Sequence, residues 1–348
     1  MPGGPPGDFL REATMPRRRP AARALTATVL LSLTLAACGD DGGSQEPEDQ
    51  AEPATTDGAF PVVVETTFGD VTVEEAPQRV VALGWGDAET ALALDVQPVG
   101  ASDWLGFGGE GVGPWAQGRY DDAPEIIETM EPSFEAIAAL EPDLILDVKS
   151  SGDQARYDRL ASIAPTIGVP EGGESYLTTT EQQLEMIAAA LGKQEEGEQL
   201  LTELEDTFAQ ARDDHPDWEG RTATAATLTS EGWGANVEGS ERVDFLEKLG
   251  FVQNPKIAEL EADASGFSVS LSAERLDALD ADLVVAFPIF IETSEITEDP
   301  MFQQLPAVAD GRAVVIDGDL ASAYSLGTVL SQQYAIEQIV PMLEEALT

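Results

Sequence analysis

A single cysteine and a single histidine occur in 348 residues. One cysteine permits no intrachain disulfide and no thiolate metal cage. One histidine, His215, removes the usual histidine-cluster zinc sites and leaves little material for a histidine-based catalytic triad. Basic residues are scarce too: 18 Lys and Arg stand against 65 Asp and Glu, a formal net charge of −47. Sequence-independent nucleic-acid binding needs a basic field that this chain does not have, and so acidic a surface is repelled by anionic lipid. What remains is a chain 43% hydrophobic and 24% charged, the balance of a globular protein, long enough for one large domain or two ordinary ones.

The N-terminus reads as an address. Arg17, Arg18, Arg19 and Arg23 form a basic region, followed at 25–35 by an apolar run too short to span a bilayer. Leu35, Ala36 and Ala37 then lead into Cys38, an order that resembles the lipobox of bacterial lipoproteins. That resemblance implies a signal peptide over 1–37, acylation of Cys38 and export by the general secretory route; an ordinary secretory signal that happens to contain a cysteine is the alternative. Met15 directly precedes the basic residues, so translation could begin at Met1 or Met15. The leader holds five Arg, Asp8 and Glu12, so the chain from Cys38 carries 13 basic and 63 acidic residues, a net charge of −50. Residues 38–59 comprise Cys38 and a Gly-, Pro-, Ser- and acid-rich stretch with almost nothing to bury, a disordered tether.

From residue 60 the pattern is α/β. A hairpin is expected over 62–73, with strands over 79–83, 96–100, 143–148, 166–169, 221–229, 282–287 and 312–317. Helices are expected near 87–94, 133–140, 153–162, 241–249, 272–279 and 328–346. A long loop over 101–124 carries Trp104, Trp115 and Tyr120. Strand–helix alternation argues for parallel sheets covered on both faces. Two consecutive helical segments interrupt it, 180–191 and 194–212. The expected architecture is two Rossmann-like lobes, 60–192 and 215–348, joined by one long helix over 193–214, with the ligand cleft between them. Residues 133–146 and 272–285 align without a gap, each with Ser, then Glu two positions later, an apolar helix face, and Asp-Leu opening a strand.

These segments, with 77–86, 157–166, 305–314 and 330–340 in the same order, resemble the substrate-binding lipoproteins of ferric-siderophore ABC importers. The resemblance covers about 60–348. It implies a non-enzymatic receptor, a monomer held at the outer face of the cytoplasmic membrane by its lipid alone, which delivers a ferric siderophore to an ABC permease with a cytoplasmic ATPase. The siderophore holds the iron, so no cofactor or protein metal ligand is expected. Cobalamin and haem receptors of the same fold remain the alternative; haem would draw an axial ligand from Tyr120, Tyr176 or Tyr324.

Ligands of such lobes sit beyond the carboxyl ends of the strands. Aromatics flanked by glycine there, Trp85 and Trp233 above all, are the candidate walls, with Trp104, Trp115, Phe290 and Tyr324 behind them; core packing is the competing explanation for each. Arg119, Lys149 and Arg242 are the cations placed to meet chelate oxygens, unless they are surface charges. Few cations fit a neutral or cationic hydroxamate complex better than a trianionic catecholate. The family resemblance also implies that Glu135 and Glu274, one per lobe, meet arginines of the permease; a carboxylate in the first turn of a helix is favourable on its own account. Gly106, Gly108 and Gly111 match a dinucleotide-binding pattern, but they open no helix. His215, before Pro216 at a helix end, is expected to be structural.

Overall fold

A computed structural model describes residues 59–348 except 174, 264 and 265. The leader 1–37, Cys38 and nearly all of the expected tether lie outside the described residues. The hairpin forms as expected, β1 (Val62–Val64) antiparallel to β2 (Val71–Val73). A five-stranded sheet follows: β3 (Val80–Ala82), β4 (Gly100–Ser102), β5 (Glu125–Ile127), β6 (Leu144–Leu146) and β7 (Thr166–Ile167), in the order β5-β4-β3-β6-β7 with every pairing parallel. The helices α1 (Asp87–Ala93), α2 (Phe134–Ala139) and α3 (Gln154–Ala161) cover it. Chain direction across the sheet reverses between β3 and β6, which opens a crevice at their carboxyl ends.

Two consecutive helices then leave the first sheet, α4 (Thr180–Leu191) and α5 (Gln194–Asp214). A capping box between Thr179 and Gln182 starts α4, and Gly192 in the left-handed conformation ends it. The 21 residues of α5 span roughly 30 Å at 1.5 Å per residue. Its buried face runs through Leu204, Phe208 and Ala211, at helical spacing.

The second sheet has six strands: β8 (Thr222–Thr229), β9 (Gly232–Asn236), β10 (Val252–Gln253), β11 (Ser268–Leu271), β12 (Leu283–Pro288) and β13 (Ala313–Val315). Its order is β11-β9-β8-β12-β13, with β10 beside the start of β8. The remaining helices are α6 (Glu241–Lys248), α7 (Pro255–Ala258), α8 (Thr293–Thr297), α9 (Pro306–Ala309), α10 (Gly318–Leu326) and α11 (Val329–Leu347).

Several expectations need correction. The second sheet is mixed rather than parallel, because β9 runs antiparallel to both β8 and β11. Residues 232–236 are therefore strand, although their glycines suggested a loop. The expected strand over 96–100 starts only at Gly100; Pro98 has no N–H to give a ladder. Strand β5, just after the expected loop over 101–124, is not among the expected strands. The segment 273–279 is a 3-10 helix, and the Ser272 side chain does not cap it, whereas Ser133 accepts from Ala136 N at 3.2 Å. The internal likeness of the two halves thus lies in spacing rather than in helix type.

Alternation along the strands divides the interior into three cores. Val81 and Ile145 pack outward with Ile137 and Leu160, and Val284 and Ala286 pack outward in the second half with Leu279 and Phe302. Val80, Ala82, Leu144, Leu283, Val285 and Phe287 turn inward to one shared cluster that also holds Leu184, Phe208, Ile336 and Ile339. Helix α11 packs on both α1 and α5, adding contact between the halves that α5 connects.

Candidate functional site

The crevice is built first from backbone. Gly84 must lack a side chain, because a Cβ there would lie 2.8 Å from Lys149 N. Gly86, at φ 79, is the left-handed N-cap of α1. Between them, Trp85 donates its N–H to Lys149 O at 2.9 Å, and its carbonyl accepts from Gln183 Nε2 at 2.8 Å. The buried Asp87 carboxylate ties the same turn together, accepting from Val148 N at 2.8 Å and Gln183 Nε2 at 2.6 Å. Burial pushes its pKa up to about 6 against those hydrogen bonds.

The fixed Trp85 ring stacks on Trp104 at 4.1 Å and on Tyr176 at 4.1 Å. Phe290 approaches from the end of β12, 81% exposed and with φ 55, a conformation that costs a bulky residue roughly 1–2 kcal/mol. Two adjoining cavities share Trp104 and Phe290. The first, about 580 Å³, is lined by Trp85, Asp103, Ile126, Ile127, Glu128, Thr129 and Met130 besides those two. The second, about 420 Å³, lies on the other side, among Leu105, Arg242, Phe287, Glu292, Asp317, Ala321 and Ser325.

Three observations make these cavities the candidate binding site. Of the six large hydrophobic side chains that are exposed among the described residues, three, Ile126, Met130 and Phe290, line the first cavity. Covering such a side chain is worth roughly 1.5–3 kcal/mol. Buried donors are left without partners on the cavity walls: Trp85 Nε1, Trp104 Nε1 and Arg242 Nε. Arg242 itself is desolvated, which drives its pKa down despite the nearby Tyr324 and Glu241. Its guanidinium lies 5.7 Å from the centre of the Phe287 ring.

Of the aromatics and cations expected at the cleft, Trp85, Trp104, Phe290 and Arg242 come together there. The others do not. Trp233 belongs to the core of the second half, stacked on Phe302 and donating to Asp299 Oδ2 at 2.9 Å, because strand β9 points it inward. Tyr324 is 1% exposed, packed edge-on against Phe245 and Phe287. Trp115 donates to Glu89 Oε2 at 2.7 Å and meets Tyr334 of α11. Arg119 is a surface side chain that lines neither cavity. Lys149 is buried and paired with Glu241 Oε1 at 3.0 Å. Adjacent residues at the start of α6 thus face different ways, Glu241 toward Lys149 and Arg242 toward the cavity.

The Lys149–Glu241 pair centres a buried polar junction between the halves. Glu241 Oε2 accepts from Gln332 Nε2 at 2.9 Å and lies 3.0 Å from Thr180 Oγ1, which is also 2.7 Å from Gly327 O. Ile126 and Met130 were not singled out from sequence; the signal available was an unpaired Ile on an edge strand, E-I-I, whose outer residue should be polar. His215 stacks on Trp218 at 4.0 Å beside α11, as a structural residue would. No group of three His, Cys, Asp or Glu residues that could hold a metal ion occurs among the described residues. No helix among them is long and apolar enough to cross a membrane.

The family model described as periplasmic binding protein matches residues 80–320. The chain belongs to this family. It is 26% identical, over 76% of its length and 81% of the relative's, to a probable siderophore-binding lipoprotein of Bacillus subtilis. It is 27% identical to the Fe(3+) dicitrate-binding periplasmic protein of Escherichia coli, over 75% of this chain and 84% of that one. Among solved structures, a periplasmic solute binding protein from Mycobacterium smegmatis superposes with a TM-score of 0.72 at 29% identity, covering 82% of this chain and 99% of that one. The Streptococcus pneumoniae protein PiaA in complex with ferrichrome gives 0.71 at 25% identity, over 82% and 98%. These likenesses fit a substrate-binding protein rather than an enzyme.

Proposed function

We propose that the chain is an extracytoplasmic receptor, anchored by lipid on Cys38, that captures a ferric siderophore and hands it to an ABC permease. The observation that carries this reading is the pair of adjoining cavities at the strand ends, walled by Trp85, Trp104 and Phe290 and lined by Arg242, whose Nε is buried without a hydrogen-bond partner. A chelate that brings its own iron coordination needs such walls and donors rather than metal ligands. The curated relatives named for iron chelates and the ferrichrome-bound neighbour support it.

In this reading the lobes 60–192 and 215–348 close around the ligand, with 193–214 as the stiff connector. Glu135 and Glu274, both exposed in the first turns of their helices, then meet the permease, one from each lobe. The protein acts as a monomer tethered by residues 38–59. Arg242 is the one cation lining the two cavities, against Asp103, Glu128, Glu292 and Asp317, so a neutral or cationic hydroxamate chelate suits the site better than a trianionic catecholate. The haem alternative finds less support: Tyr120 and Tyr324 are buried off the cavities, and the Tyr176 ring is stacked on Trp85. Titrating tryptophan fluorescence with ferric trihydroxamate and ferric triscatecholate complexes tests the assignment. Saturable quenching by the hydroxamate supports it; tight binding of the catecholate with no hydroxamate response contradicts the hydroxamate preference.

A further inference from the structure

The two cavities differ in chemistry in a way that specifies the ligand further. The second has the only cation, Arg242, with its Nε sealed from solvent and unpartnered. The first has no cation; it is lined by Trp85, Trp104, Ile126 and Met130, and the last two are 42% and 63% exposed. Ile126 stands on the edge strand β5, where alternation buries Ile127 and leaves Ile126 outward. On a protein with 65 acidic residues, a solvent-facing group of Ile, Met and Phe beside the chelate cavity is conspicuous. Phe290, held at φ 55, lines both spaces and marks their junction.

Resting on the ferric-siderophore reading, we infer that the first cavity is a subsite for a hydrocarbon substituent of the ligand, an acyl or aryl group carried by the chelate. The chelate's oxygens face Arg242 in the second cavity, and the substituent crosses Phe290 to lie on Ile126, Met130 and the Trp104–Trp85 stack. About 580 Å³ accommodates a medium-length acyl chain with room for water at the Glu128 rim. The preferred ligand class is therefore an acylated or aryl-capped siderophore rather than a wholly polar one.

The test uses two probes of equal charge: the iron complex of a linear trihydroxamate whose terminal amine is acetylated, and the same complex with a hexanoyl group. Both are titrated calorimetrically into the full chain carrying Cys38→Ala, which prevents acylation. Each buried methylene is worth about fourfold in affinity, so the hexanoyl complex is expected to bind at least about tenfold more tightly. Met130→Asp and, separately, Ile126→Asp should abolish the difference between the two probes. Both side chains are solvent-facing, so neither variant threatens folding, and either alone suffices for the comparison. Equal binding of the two probes by the unsubstituted cavity, or a preference that survives both substitutions, overturns the inference and leaves the receptor assignment standing. Binding of neither probe, nor of any other ferric chelate, overturns the receptor assignment and the subsite with it.

Discussion

The two halves of the molecule meet in two chemically opposite places. At the buried junction, Lys149 is matched by Glu241, and Glu241 by Gln332 and Thr180, all within 3.0 Å, which leaves Gln332 Oε1 as the one atom of these four side chains buried without a partner. A few residues away at the cleft, Trp85 Nε1, Trp104 Nε1 and Arg242 Nε are buried with no partner at all. Burying a polar group costs more when it is left unpaired than it gains when paired. The junction therefore holds the halves together, and the cleft keeps polar groups that a bound ligand can satisfy. The strongest expression of this difference is that Glu241 and Arg242 are neighbours in sequence, one serving each place.

The contrast can be broken at the junction. Lys149→Met leaves the Glu241 carboxylate buried and uncompensated, and should destabilise the fold by about 3–5 kcal/mol in denaturant unfolding. The double variant Lys149→Met/Glu241→Gln should recover most of that loss. An exposed-pair effect, under about 1 kcal/mol, would show that the junction is wet. At the cleft the same kind of substitution should behave oppositely. Arg242→Met is expected to leave stability unchanged or slightly raised, since a desolvated, unpaired charge is removed. It should weaken ferric-chelate binding by about 1.5–3 kcal/mol, roughly tenfold to a hundredfold, in a calorimetric titration.

Acid probes the buried carboxylates that surround both places. Desolvation raises both Asp87 and Asp244 from an ordinary 3.8 to about 6 and raises Glu89 as well. Folded protein holds these protons where unfolded chain has released them, so stability must rise as pH falls through about 6 toward 4. The slope is at most about 1.4 kcal/mol per pH unit for each fully linked group. Asp282 and Asp299 shift the other way, and their contribution is lost only below ordinary carboxylate values. Thermal unfolding should therefore give a Tm higher at pH 5 than at pH 7.5; a Tm that falls steadily over that range contradicts the assignment. The smallest effect is expected from Glu135→Arg/Glu274→Arg, which lies outside both places. Ligand affinity and Tm should stay the same while uptake by cells is lost, and weakened ligand binding would place these residues at the cleft instead.

Local signals were legible in the sequence to the degree that they were local. The helical segments expected over 180–191, 194–212 and 328–346 match α4, α5 and α11 within two residues. Gly84 and Gly86 marked the turn that presents Trp85. What failed was anything decided by a partner far away in the chain. Lys149 looked like a free cation because Glu241 is 92 positions distant. Trp233 looked like a cleft aromatic because glycines hid a strand whose pairing with Leu228 and Leu271 turns it inward. Ile126 went unnoticed because three residues are too few to show alternation, and because only the finished sheet makes β5 an edge.

In the proposed function the cavities around Trp104, Phe290 and Arg242 hold a ferric chelate. A crystal of the protein grown with a ferric trihydroxamate, and measured at the iron absorption edge, tests it most directly. The predicted anomalous peak lies between Arg242 and the Trp104–Phe290 pair, with Arg242 donating to a chelate oxygen. An iron peak elsewhere, such as the groove of Asp206, Asp214 and Glu337 between α5 and α11, with Arg242 still unpartnered, would contradict it.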